Sequence, residues 1–499
     1  MMEWMEILIL SLYFAVLGVL AAYGLHRLAL ALALPKRDPD AEPDAEPDEW
    51  PRVTVQLPIF NEKYVAERLI DAVSALDYPR DRLEIQVLDD STDETRDLVA
   101  GIVERHRGEG VDIHHLHRED RCGYKAGALA AGLEVAAGEF VAVFDADFVP
   151  QSAFLKRSIP GFADPEVGMV QARWGHINRD YSLLTRAQSI LLDAHFVVEH
   201  AVRERLGCLF NFNGTAGIWR RQAIEDAGGW THDTLTEDLD LSYRAQLHGW
   251  RFHYLSDVIV PAELPAEINA YKSQQHRWAK GSVQTARKLL GTVMKTPLPL
   301  RAKVEAFIHL TSNFTYPLML LLSLLIFPAM ALRRGEESWR LLAFDLPLFL
   351  AATLSVVIFF LVSQARGRDP GQEHGLPFWR CLLVMPGLMA VGIGLSVNNT
   401  RAVLSGLRED GGVFHRTPKY KLEGQRDGWS GKAYALRKNL SFYLEALLAL
   451  YFIGCFAAAA HLGMWWSMPF LWLFLQGYVY MTWLGLDLPL TQRRQPAAA

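Results

Sequence analysis

Apolar positions fall along the chain in two regimes. From about residue 52 to residue 299 they come in short runs, separated by charged and polar stretches. After Lys303 they come in runs of membrane length, and one such run, residues 5–34, precedes everything else. A helix needs about 20 apolar residues to cross the hydrocarbon core of a bilayer, and residues 5–34 exceed that. Further runs lie at 304–332, 342–363, 379–397, 443–463 and 465–486. Glu3 and Glu6 precede the first run, while Lys36 and Arg37 follow it. That asymmetry is wrong for a cleaved signal peptide and places the N-terminus outside and residue 36 in the cytoplasm. Six crossings would leave the C-terminus outside, yet Arg493 and Arg494 favour the inside. Residues 379–397 contain Pro386, Gly387, Gly392 and Gly394, with Asn398 and Asn399 following. The expectation is therefore five spans, with 379–397 an interfacial or broken helix.

The soluble stretch reads differently. Val53–Leu57, Ile85–Leu88 and Phe140–Phe144 are short apolar runs, and helical patterns at 62–76, 93–107 and 124–137 separate them. Strands alternating with helices predict βαβ units and an α/β domain with a mostly parallel sheet. Ligands in such sheets sit beyond the C-terminal ends of the strands. The first strand runs into Pro58-Ile59-Phe60-Asn61-Glu62, the second into Asp89-Asp90-Ser91-Thr92-Asp93, and the run at 140–144 into Asp145-Ala146-Asp147. Three polar strand ends on one edge predict one site. The resulting division is an N-terminal membrane helix (1–35), an acidic spacer (36–50), a cytoplasmic domain with interfacial helices at its end (51–300) and C-terminal membrane and interfacial helices (301–490). The spacer, with DPDAEPDAEPDEW at 38–50, is Pro-rich and charged, hence solvated.

Composition narrows the chemistry. The net charge is −6 over 499 residues, so no basic field points to nucleic acid. The four cysteines, Cys122, Cys208, Cys381 and Cys455, form no CxxC pair, which argues against a disulfide frame or structural zinc built on thiolates. No GxxxxGK[ST] is present and no GxGxxG follows the first strand, which weakens ATPase and dinucleotide readings.

Asp145 and Asp147 can share a hard divalent cation, Mg²⁺ or Mn²⁺, which prefers oxygen ligands and completes its shell with phosphates; alone, such a turn could equally cap a helix. Asp89 and Asp90 suit a base or ribose, and also a helix cap. Lys125, near a predicted helix start, suits phosphate. Thr236-Glu237-Asp238 opens another helical segment, where a carboxylate is either a cap or a general base; Asp238 is the first choice and Glu237 the neighbour. In Gln274-Gln275-His276-Arg277-Trp278, Arg277 could pair with a diphosphate and Trp278 offers a flat face to a sugar ring, though both residue types are common at membrane interfaces. Asn213-Gly214-Thr215-Ala216-Gly217 is a small-residue loop that permits close backbone approach, here to an acceptor sugar.

Taken in order, DD at 89–90, DxD at 145–147, TED at 236–238 and QxxRW at 274–278 resemble the membrane-bound, inverting family 2 glycosyltransferases. The strings QLPIFNE, IQVLDDSTD, GYKAGAL, FDADF, FNGTAGIWR, TEDLDLSYRA and QQHRW are most similar to cellulose-synthase-like mannan and glucomannan synthases. The resemblance implies a GT-A-type (Rossmann-like) domain between membrane helices. It implies that Asn61, Glu62, Asp89, Asp90, Lys125, Asp145, Gln274, Arg277 and Trp278 bind a nucleotide-sugar donor, and that Asp145 and Asp147 hold the metal. Asn213, Gly214, Thr215 and Trp278 would meet the acceptor, and Asp238 would be the base. Phe414-His415-Arg416-Thr417-Pro418-Lys419 resembles the cytoplasmic gating segment of cellulose synthases. The loop FNGTAG departs from the cellulose-synthase form FFCGS, and regulation by a cyclic dinucleotide through a PilZ-like domain is not expected in this chain. The implied reaction moves a hexose from GDP-mannose, or next UDP-glucose, to a growing β-linked glycan. The alternatives are one-sugar transfer to a lipid acceptor and a non-catalytic nucleotide-sugar receptor. Compactness and Ala/Arg-rich usage suggest a bacterial inner membrane; a eukaryotic origin would imply the Golgi.

Overall fold

A computed structural model describes residues 2–34, 47–334, 338–367, 378–424, 427–428, 432–433 and 440–486. Most of the expected spacer, with Lys36, Arg37, Arg493 and Arg494, lies outside the described residues.

Seven strands form one sheet: β1 (Val53–Ile59), β2 (Leu83–Asp89), β3 (Ile113–His117), β4 (Phe140–Val143), β5 (Val167–His176), β6 (Gly217–Arg220) and β7 (Arg251–Ala262), in the order β3-β2-β1-β4-β6-β5-β7. Only β6 runs antiparallel to its neighbours β4 and β5. The expected strands at 53–57, 85–88 and 140–144 are β1, β2 and β4. They were legible because strands covered on both faces are almost continuously apolar. Helices α1 (Met2–Ala33), α2 (Ala66–Ser74), α3 (Thr95–Gly108) and α4 (Tyr124–Val135) follow in chain order. α2 and α3 bury Leu69, Ile70, Val73, Val99 and Ile102 against Val53, Val55, Ile85 and Val87 on one face. α4 buries Leu129 and Leu133 against Leu88, Val141 and Val143 on the other. α2 begins four residues later than the pattern suggested, because Asn61 adopts a left-handed φ of 54° and holds the chain in a turn.

Short helices α5 (Phe154–Ser158), α6 (Leu183–Ala194), α7 (Ala201–Arg205) and α8 (Arg221–Asp226) connect the far strands, and a π-helical turn at 195–200 joins α6 to α7. Then come α9 (Glu237–Leu247), α10 (Ile268–Lys295), α11 (Leu300–Thr311), α12 (Thr315–Leu332), α13 (Ser338–Arg366), α14 (Phe378–Arg408), α15 (Leu440–His461) and α16 (Met468–Gly485).

Among the described residues five helical stretches are long and apolar enough to cross a membrane: Glu3–Ala33, Leu300–Leu332, Ala343–Arg366, Trp379–Arg408 and Leu440–His461. The break expected at 379–397 does not occur. α14 continues through Pro386 for 31 residues, and Asn398 and Asn399 lie inside it. Gly394 serves packing instead: a Cβ there would overlap Met481, so the small residue lets α16 close against α14. The run at 465–486 yields the 18-residue α16, which is not among the five.

Candidate active site

The C-terminal ends of β1, β2 and β4 open on a cleft with about 1230 Å³ of non-protein space. Glu62, Asp90, Lys125, Asp145, Asp147, Asn213, Gly214, Glu237, Asp238, Gln274, Arg277 and Trp278 line it together. Three expected residues do not. Asn61 turns away to clasp the neighbouring loop, donating its backbone N–H to Ser91 Oγ at 2.8 Å and accepting from Thr92 N on Oδ1 at 2.8 Å. Thr215 is buried beneath the floor, where its hydroxyl accepts from Asp145 N at 2.9 Å. Asp89 is fully buried and faces β3, because successive residues of an extended chain point to opposite sides. Asp90 consequently faces the cleft, held by Arg118 Nε and Nη2 at 2.8 and 2.6 Å.

Side-chain cations pin the two carboxylates of the Asp-x-Asp. Lys125 Nζ donates to Asp145 Oδ1 at 2.5 Å and to the Gly214 carbonyl at 2.8 Å, and lies 4.0 Å from Glu237 Oε1. Lys419 Nζ donates to Asp147 Oδ2 at 2.6 Å. Glu237 and Asp238 start α9, and Asp238 Oδ1 accepts from Leu239 N at 2.8 Å. Gly214 has φ +80°, and a Cβ there would sit 2.9 Å from Asp238 Oδ2; only glycine lets this loop approach the carboxylate. Asn213 is clamped beside it, accepting from His200 Nε2 at 2.6 Å and donating to His195 Nε2 at 2.9 Å.

A strap at 413–420 closes one side. Phe414 stacks on Tyr124 and lies under the Arg277 guanidinium at 4.2 Å. Arg416 meets Glu62 at 3.1 Å, and the Tyr420 N–H donates to Glu263 Oε1 at 2.8 Å. Arg118, Arg121 and Glu263 were missed in the sequence. The arginines lie in a β3–α4 loop without a motif, and Glu263 follows β7, a strand too interrupted by polar residues to recognise.

Burial and crowding of like charges set the electrostatics. Burial, reinforced by Glu237 and opposed by Lys125, pushes the Asp238 carboxyl up to about 7. Burial likewise raises Glu62 to about 8 against the pull of Arg416. Burial would lower Lys125, but Asp145 and Glu237 outweigh it and raise its pKa. Seven carboxylates (Glu62, Asp90, Asp145, Asp147, Glu237, Asp238, Glu263) face five cations (Arg121, Lys125, Arg277, Arg416, Lys419) around the cleft. Arg118 further neutralises Asp90, and Arg68 lies 3.3 Å from Glu263; the all-oxygen pair at Asp145 and Asp147 fits a hard divalent cation.

At Asn213, Asp238, Gln274 and Trp278 the cleft adjoins a second cavity, partly open to solvent, with about 2450 Å³ of non-protein space. That cavity runs among α1, α6, α12, α13 and α14, past Leu17, Leu20, Leu322, Phe360, Leu388 and Ile393.

Residues 51–281 match the family described as "Glycosyltransferase like family 2". They are a family 2 glycosyltransferase domain. Glucomannan 4-beta-mannosyltransferase 2 of Arabidopsis thaliana is 48% identical over 251 residues, covering 49% of this chain and 47% of the relative. Probable glucomannan 4-beta-mannosyltransferase 4 of Oryza sativa subsp. japonica is 38% identical over 371 residues, covering 72% and 64%. For the Arabidopsis relative, then, the chain spans about half of its length. The glycosyltransferase domain also shares its fold with a solved structure, the mannosyltransferase PcManGT from Pyrobaculum calidifontis in complex with GDP-Man and Mn²⁺. The TM-score is 0.52 and the identity 23%, over 72% of this chain and 98% of that one. The domain is thus of GT-A type, α/β with a mostly parallel seven-stranded sheet, and apolar helices flank it.

Proposed function

We propose that this chain is a membrane-embedded, inverting hexosyltransferase. It moves mannose from GDP-mannose, with glucose from UDP-glucose as the second donor, to a growing β-linked glycan of the mannan or glucomannan type. The observation that carries the reading is the position of Asp238: a carboxylate with a raised pKa at the junction of a cation-lined cleft and a cavity leading among the apolar helices. The relatives' names supply the sugar.

In this reading the donor diphosphate lies against Lys125 and Arg277, whose charges stabilise the leaving group. Mg²⁺ or Mn²⁺ bound by Asp145 and Asp147 would add neutralising charge there. Asp90 and Glu62 face the donor, and Trp278 and Asn213 orient the acceptor. Asp238 takes the proton from the acceptor hydroxyl as its oxygen bonds to C1 and the C1–diphosphate bond breaks on the opposite side. A single displacement inverts C1, so an α-linked donor gives a β-linkage. The domain would sit on the cytoplasmic side of a multi-pass protein, in the inner membrane of a bacterial cell.

A second reading, one-sugar transfer to a lipid acceptor, is favoured by the largely apolar lining of the adjoining cavity. The test is incubation of the full chain in detergent with labelled GDP-mannose or UDP-glucose and Mg²⁺ or Mn²⁺. Polymer retained on size exclusion supports the first reading and a single-sugar glycolipid the second. Absence of nucleoside diphosphate release with every donor refutes both.

The strap bears on metal binding. Lys419 occupies Asp147, so cation and ammonium compete for one carboxylate. Lys419→Met is expected to tighten Mn²⁺ binding by about tenfold, the equivalent of ~1.4 kcal/mol of lost competition. The free-Mn²⁺ signal in electron paramagnetic resonance, recorded without donor, measures this; unchanged or weaker binding refutes the competition.

A further inference from the structure

On the side of β2 turned away from the cleft, Asp89 meets two histidines of β3. Asp89 and His117 are direct register partners, and His115 lies two residues before His117, hence on the same face. One ligand atom from each residue lies within 4.8 Å of the other two. His115 Nε2 is 2.9 Å and His117 Nδ1 3.6 Å from Asp89 Oδ2. Asp89 Oδ1 is already engaged by the Ser91 N–H at 2.8 Å, which fixes the carboxylate and aims Oδ2 at the rings. His117 Nδ1 is shielded from solvent yet forms no hydrogen bond. A buried ring nitrogen without a partner is unfavourable, and here it lies beside a carboxylate oxygen and a second imidazole that a cation could bridge.

We propose that Asp89, His115 and His117 form a binding site for a zinc-class cation, separate from the oxygen-only pair at Asp145 and Asp147. Two imidazoles and one carboxylate are the donor set that Zn²⁺ accepts in a tetrahedral site with one open position. With bonds of about 2.0–2.1 Å, its ligand atoms stand roughly 3.3 Å apart, between the two spacings observed. Mg²⁺ and Mn²⁺ favour oxygen ligands instead. β3 is the edge strand of the sheet, and the loop that follows it delivers Arg118 to Asp90 and places Arg121 over the Phe60 ring at 3.4 Å. A cation joining β2 to β3 would hold that loop at the cleft.

The experiment uses the full, tag-free chain in detergent, stripped with chelating resin, and Zn²⁺ alone in excess Mg²⁺ as probe. One equivalent is expected to bind by calorimetry and to raise Tm, as any ligand selective for the folded state does. His115→Gln and His117→Gln should each weaken binding by more than about tenfold, whereas Asp145→Asn should keep it. Co²⁺ in the unaltered chain should give the strong visible bands of tetrahedral coordination, a readout that no variant's folding can confound. Absence of stoichiometric binding, binding that survives both histidine changes, or a weak octahedral cobalt spectrum would overturn the proposal.

Discussion

Asp238→Asn is expected to lower turnover by about 10²–10⁴, the usual contribution of a general base, while donor affinity stays within about threefold. The amide has nearly the same shape and can still accept from Leu239 N, so the start of α9 survives. What it loses is the ability to take a proton. Loss of donor affinity comparable to the loss of turnover would make Asp238 a binding residue instead. The unaltered enzyme should gain activity as pH rises through about 7, where Asp238 ionises. Lys125→Met should move that limb to higher pH, because an opposing ammonium would be gone. Stability carries the opposite sign. A carboxyl whose folded pKa lies above its unfolded value favours folding while protonated. That contribution is complete below 3.8 and lost as pH climbs to about 7. Asp238→Asn should therefore exceed the unaltered chain in Tm by a margin that widens from pH 4 to pH 7 and is then constant. A base held in an unfavourable environment trades stability for reactivity.

The legible part of the molecule was the part where one physical demand dominates. β1, β2 and β4 are buried on both faces, so their apolar runs stand out, and the acidic turns after them follow from strand geometry. β3 reads IHHLH, β5 ends in Arg-Trp-Gly-His and β6 has four residues. Their pairing is decided by long-range partners that no local pattern records. Asp89 and Asp90 show the same limit within the site. Adjacent and chemically alike, they are separated by the pleat, which sends one to the cleft and the other to β3. Arg121 and Glu263 reach the cleft only through loops whose course depends on those undetected strands. The break expected at Pro386 rested on intrinsic propensity. In α14 the proline removes one backbone bond, while close packing against α16 and α10 holds the remainder of the helix.

Lys272→Met should have the largest effect on stability, about 3–5 kcal/mol, the usual consequence of stranding one member of a buried ion pair. Lys272 and Glu445 are both fully buried, with Nζ and Oε2 2.5 Å apart, and the Lys272 carbonyl accepts from Asn398 Nδ2 at 2.9 Å. The pair therefore ties α10 to α15, with α14 joined through Asn398. Truncating the lysine leaves a carboxylate in an apolar helix bundle with no cation to answer it. Exchanging both residues, Lys272→Met with Glu445→Leu, removes the charge as well as its partner and should recover most of the loss. The same comparison reaches the chemistry, because Gln274, Arg277 and Trp278 follow Lys272 on α10 within two helical turns. If the pair sets the position of that helix, the single variant should lose activity and stability together, and the double variant should regain both. Thermal unfolding in detergent and diphosphate release under saturating donor measure the two quantities on the same samples. A single variant as stable as the double would mean that Glu445 is not held as an ion, and the anchoring of α10 would then have to come from apolar packing alone.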